Sequence, residues 1–136
     1  MRVLAIDPGS THCGWVVGEG ESTDTLTAVA SGDCPPTEIF AVIDEQQPDV
    51  VVVEDFVTGK LTRSSQLTLR LVGELTGYCK HAGVPTQLQV PSLRTPFNSA
   101  AKRALPGSGG HAQAAIAHLL YFITRRRQAN DSRRES

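Results

Sequence analysis

The sequence lacks the features that commit a chain to a membrane or to the cell exterior. No apolar run approaches the roughly 18 residues of a bilayer span, and no basic-then-apolar leader opens the chain. Neither membrane insertion nor secretion is expected, and the expected compartment is the cytoplasm. Cysteine is scarce: Cys13, Cys34 and Cys79 are widely spaced and form no CxxC pair. That argues against a disulfide framework and against a zinc knuckle. Internal repeats and long linkers are also missing. What remains is a chain of 136 residues, enough for one domain that buries about two-thirds of its unfolded surface without a staple.

Charge is balanced overall but not along the chain. Residues 1–58 hold eleven acids against the single base Arg2, a net charge of −10, whereas residues 59–136 hold twelve bases against three acids, a net charge of +9. The second half is therefore a candidate polyanion-binding face.

Val3-Leu4-Ala5-Ile6 reads as a strand buried on both faces that exits into the turn Asp7-Pro8-Gly9-Ser10. Segments 14–18 and 26–31 complete an antiparallel meander around a polar tip that includes Ser22 and Asp24. A helix is expected from Pro35 to Pro48, and Val50–Val53 forms a second buried strand ended by Glu54-Asp55. The spacing of Leu67, Leu71, Leu75 and Tyr78 predicts a helix over 62–81 capped by Gly83, and Leu69, Val72 and Cys79 widen its apolar face, either for fuller cover within its own monomer or for a second subunit as well. Thr86–Val90 is a fifth strand, Pro91 to Gly110 reads as irregular, and His111 to Arg127 forms a last helix. The order β-β-β-α-β-α-β-α implies an α/β fold, a five-stranded mixed sheet with helices on both faces. The expected domain spans 1–127, followed by a polar, flexible tail over 128–136.

Asp7 and Glu54 each close a buried strand, and His111 opens the last helix. If those strands are neighbours, two carboxylates and an imidazole meet at one sheet edge, a donor set suited to Mg²⁺ or Mn²⁺. Asp55 is expected on the opposite face from Glu54, as a group supporting the site from behind or as a surface residue.

The run from Val3 to Trp15, with its Asp7-Pro8-Gly9 turn and Gly14-Trp15 pair, is similar to the opening of the RuvC-type Holliday junction resolvases, and its short length to their phage-borne branch. Val51-Val52-Val53-Glu54 with Phe56, the long helix that follows, Val90-Pro91-Ser92 and the His111-Ala112 helix start extend the resemblance over nearly the whole chain. It implies an RNase H-like fold, a homodimer formed through the 62–82 helix, and paired hydrolysis of phosphodiesters in branched DNA: four-way junctions, forks and flaps. If a phage encodes the chain, the compartment is the host cytoplasm. It further implies two Mg²⁺ ions per site, with Mn²⁺ substituting, and Asp7, Glu54 and His111 as metal ligands. The fourth ligand position of the family, normally Asp, is Ala114 here. Three readings of Ala114 stand side by side: an inactivated form, a divergent enzyme that uses another ligand, or a catalytically silent junction-binding protein. His118, one helical repeat after His111, is the substitute ligand to examine. Lys60, Arg63, Arg70, Arg94, Lys102 and Arg103 become DNA-binding candidates, with Lys102 placed by the resemblance near the scissile phosphate and so counted with the catalytic residues. Phe56 is a candidate base wedge or a core residue. The Asp-Pro-Gly-Ser turn also resembles the phosphate loop of actin-like ATPases, which need two such domains and so exceed this length. A YqgF-like nuclease acting on RNA is the nearer alternative.

Overall fold

A computed structural model describes residues 1–21, 25–56, 59–104 and 110–135, with side chains for all of these but Arg94, Ala104 and Glu135. The expected tip residues Ser22 and Asp24 lie outside the described residues. Five strands, β1 (Arg2–Asp7), β2 (Cys13–Glu19), β3 (Thr27–Cys34), β4 (Val50–Glu54) and β5 (Thr86–Gln89), form one sheet in the order β3-β2-β1-β4-β5. The β1–β2 and β2–β3 pairs are antiparallel, and the β1–β4 and β4–β5 pairs are parallel. Helices α1 (Ile39–Gln46), α2 (Arg63–Ala82), α3 (Asn98–Ala104) and α4 (Gly110–Glu135) supply the crossovers and the two covering layers. None of the described helices is long and apolar enough to cross a membrane.

Strand alternation sorts the apolar residues into two cores. Leu4, Ile6, Val51 and Val53 pack with Ile39 and Ile43 of α1 and with Leu71, Leu75 and Cys79 of α2. Val3, Ala5 and Val52 face the other way, against Ala115, Ile116, Leu119 and Phe122 of α4. The same alternation sends Asp7, two residues after Ala5, and Glu54, two residues after Val52, toward the α4 layer.

Three local expectations are corrected. The buried row of α2 is Ser65, Thr68, Leu71, Val72, Leu75 and Cys79, whereas Leu67 is exposed and Tyr78 packs edge-on to Phe40 at 5.2 Å. Two rows at helical spacing share Leu71 and Leu75, and the row carrying Val72 and Cys79 meets the sheet. The irregular stretch contains a 3₁₀ segment, Pro91–Phe97, and then α3, so a further helix precedes the last one. Ser-Ala-Ala-Lys-Arg-Ala is a run of mostly good helix formers, and Ala101 is buried in the α4-side core. The last helix runs to Glu135 instead of stopping at Arg127, since no Pro or Gly interrupts residues 111–135.

The Gly14-Trp15 pair has a packing reason. Gly14 is the β2 partner of Asp7, and a Cβ there would lie 2.0 Å from the carbonyl carbon of His111 and 2.3 Å from the amide nitrogen of Ala112. The first turn of α4 thus rests on a bare backbone beside Asp7. Because backbone atoms cannot swing aside, Gly14→Ala is expected to lower stability by about 1–3 kcal/mol or more, read as a fall in the thermal midpoint. An unchanged midpoint would contradict this seating of α4.

Candidate active site

β1 and β4 are parallel neighbours, and Ile6 is the register partner of Val53, so the next residues, Asp7 and Glu54, end the two strands side by side. Both are buried, 7% and 8% exposed, and their carboxyls are in hydrogen-bond contact. They line a cavity of about 610 Å³ together with the Pro8–Thr11 turn, Asp55, Phe56, Ser64, Thr68, Gly110 and His111. Burial first, and the neighbouring charge of Glu54 second, push the Asp7 carboxyl up to about 7, although the bond to His111 pulls the other way. Two carboxyls in contact cannot both ionise without a counter-charge.

His111, the second residue of α4, stands at the rim with its side chain 48% exposed, and its Nδ1 lies 2.7 Å from Oδ2 of Asp7. Hard oxygen donors that repel one another, with an imidazole beside them, fit a divalent cation of the Mg²⁺ or Mn²⁺ type. The imidazole is hydrogen-bonded to Asp7, and among the described residues no three metal-ligating side chains converge on one point. The fit therefore rests on the carboxyl pair.

The other sequence candidates fall in different places. Ala114 is buried on α4 and contributes no donor. His118 is fully buried and absent from the cavity lining; its Nε2 lies 3.0 Å from Oε2 of Glu54 and its Nδ1 2.8 Å from Oε1 of Gln89. Lys102 and Arg103 are exposed at the end of α3 and do not line the cavity. Lys60, Arg63 and Arg70 are exposed before and along α2, and Arg70 lines a groove with Gly9 and Ser10, which also border the cavity. The Arg94 side chain lies outside the described residues. Phe56 both lines the cavity and packs against the α1/α2-side core.

Two contributors escaped the sequence reading. Asp55, expected to be turned away from Glu54, lines the same cavity, because β4 has ended and the cavity spans both sheet faces at the strand ends. Its backbone N–H donates to the carbonyl of Gln89 and its Oδ1 accepts from the N–H of Phe56. Gln89 is buried beside Glu54 as its β5 partner. A glutamine closing a strand of mixed polarity gives no signal of that role in one dimension.

Comparison with known proteins bears on the whole chain. No family model matches it. It is 30% identical over 139 residues to the crossover junction endodeoxyribonuclease RuvC of Thermobifida fusca (strain YX), covering 92% of this chain and 72% of that protein. It is 32% identical over 139 residues to the RuvC of Salinispora arenicola (strain CNS-205), covering 92% and 74%. Among solved structures, T. thermophilus RuvC in complex with a Holliday junction substrate superposes with a TM-score of 0.72 at 18% identity, covering 93% of this chain and 95% of that one. The fowlpox virus resolvase in complex with Holliday junction DNA gives 0.67 at 10% identity, covering 92% and 98%. The structural likeness establishes the fold expected from the sequence, RNase H-like with a five-stranded mixed sheet.

The raised Asp7 value has a consequence for stability. In the unfolded chain Asp7 loses its proton near pH 4, whereas in the folded chain it holds it to about 7. Between those values the folded state binds more protons, so stability falls as pH rises. In the absence of divalent metal, Asp7→Asn is expected to raise the thermal midpoint at pH 8 and to flatten its decline between about pH 4 and pH 7. A midpoint lowered at pH 8 by the same change would contradict the repulsion.

Proposed function

The chain belongs to the RuvC family of crossover junction endodeoxyribonucleases, and from that premise we propose that it resolves Holliday junctions and other branched DNA by metal-dependent hydrolysis of paired phosphodiesters. The observation that carries this reading is the Asp7–Glu54 contact on the cavity wall at the carboxyl ends of two adjacent parallel strands. Asp7 and Glu54 are the proposed ligands, joined by His111 when it leaves its bond to Asp7, for two Mg²⁺ ions, with Mn²⁺ able to substitute. Bound there, the ions would supply an activated water and steady the leaving 3′ oxygen. Holding a cation there would require Asp7 to give up the proton it holds against Glu54.

Phosphate contacts are assigned to Lys60, Arg63, Arg70, Arg94, Lys102 and Arg103, with Lys102 the candidate for the scissile phosphate. The +9 charge of residues 59–136 supports a polyanion-binding role for them, as does, for Arg70, the groove it shares with Gly9 and Ser10. A homodimer through α2, on which Leu67 and Leu69 are exposed on opposite flanks of the buried row, would place two sites for paired incision. The proposed compartment is the cytoplasm. One observation favours a second reading, a branched-DNA-binding protein without cleavage: Ala114 stands where a carboxylate of the family is expected.

The test is a labelled four-way junction with Mg²⁺. Asp7→Asn and Glu54→Gln are each expected to lower nicking by orders of magnitude, while Ala114→Asp raises it above that of the unaltered chain. Binding without nicking, in the unaltered chain and in Ala114→Asp alike, would establish the silent reading. Failure to bind junctions, together with binding of structured RNA, would favour a YqgF-like role.

A further inference from the structure

His118 is the one fully enclosed histidine among the described residues, and no step of the proposed chemistry uses it. It lies four residues after Ala114, one helical turn along the same face of α4. Its ring bridges two strand ends, since Glu54 and Gln89 are register partners closing β4 and β5. The neighbours of this ring in the helix are Ala115, Ile116, Leu119 and Phe122, all in the apolar core. A polar ring is costly in such company unless its nitrogens are satisfied. Both are, at 3.0 Å from Glu54 and 2.8 Å from Gln89.

The proton count sharpens this. With Oε1 of Gln89 facing Nδ1, that nitrogen must donate, and the Nε2 contact with Glu54 then needs an additional proton. Nε2 of Gln89 is the buried side-chain atom left without a partner among the described residues. Turning the amide end for end gives that nitrogen the Nδ1 lone pair, and His118 then donates Nε2–H to a Glu54 carboxylate with no added proton. The acceptor-only Glu54 carboxylate thus fixes the tautomer and Gln89 braces it by donating to Nδ1, the arrangement by which an outer partner orients a metal-binding group. With both ring nitrogens engaged and no part of the ring lining the cavity, His118 does not fill the ligand position vacated at Ala114.

We infer that His118, braced by Gln89, is a positioning residue that fixes the orientation in which Glu54 presents its carboxylate to the cavity. With Ala114 offering no donor on this face of α4, holding Glu54 still supplies part of the metal affinity of this chain. The inference rests on Asp7 and Glu54 being cation ligands, and its test separates the two claims.

Mn²⁺ binding to the intact chain without DNA, followed by electron paramagnetic resonance of the free ion, is the primary readout. His118→Leu is expected to weaken Mn²⁺ binding by about 10–100-fold. His118→Gln, which keeps a donor within reach of Glu54, recovers most of that loss, and Gln89→Leu falls between the two. Junction binding in EDTA stays unchanged in all three. Wild-type Mn²⁺ affinity in His118→Leu, alongside lost affinity in Asp7→Asn, would overturn the positioning role alone. Undiminished affinity in Asp7→Asn as well would overturn the cation site itself. If circular dichroism shows that His118→Leu does not fold, Gln89→Leu decides: reduced affinity supports the inference and wild-type affinity overturns it.

Discussion

The site depends on an electrostatic conflict built into the sheet. Asp7 and Glu54 end adjacent parallel strands, and their carboxyls are brought into contact where burial leaves little water to screen them. A fold does not gain stability from such a pair; it tolerates the pair through surrounding packing and relieves it by holding a proton or a cation. The all-apolar runs on either side, Val3–Ile6 and Val50–Val53, supply that packing, being buried against helices on both faces.

Helix α4 completes the arrangement from one side. Its first turn lies on Gly14, the residue paired with Asp7, which carries His111 to within 2.7 Å of that carboxyl. Two turns further on, His118 reaches the other carboxyl. One straight element thus serves both acids, at the rim with an exposed imidazole and in the core with an enclosed one. The asymmetry of exposure assigns different work to two histidines that the sequence presents as equivalents seven residues apart.

Much of this was legible in one dimension because it follows from patterns with a short physical range. Wholly apolar runs ending in acids mark buried strands that stop at a polar edge, and the alternation of period two settles which face Asp7 and Glu54 share. The Asp-Pro-Gly turn and the Gly-Trp pair carried the family resemblance, and Gly14 proves to be a point of close approach. What stayed hidden depends on three-dimensional neighbours. Gln89 matters only because β5 lies beside β4, and Asp55 joins the cavity because strand alternation lapses where the strand ends. The buried row of α2 was misplaced since two rows share Leu71 and Leu75, a choice that only the sheet resolves. For His118, helical spacing from His111 suggested a ligand, whereas depth in the core makes it a hydrogen-bond partner of Glu54.

In the proposed chemistry a divalent cation replaces a proton between Asp7 and Glu54. Calorimetric titration of the metal-free chain with Mn²⁺ near pH 6, repeated in buffers of different ionisation enthalpy, measures the protons released on binding. With the Asp7 carboxyl raised to about 7, close to one proton per chain is expected to leave, and Asp7→Asn is expected to abolish both the release and the tight binding. Tight binding with no proton released, unaffected by Asp7→Asn, would contradict the account.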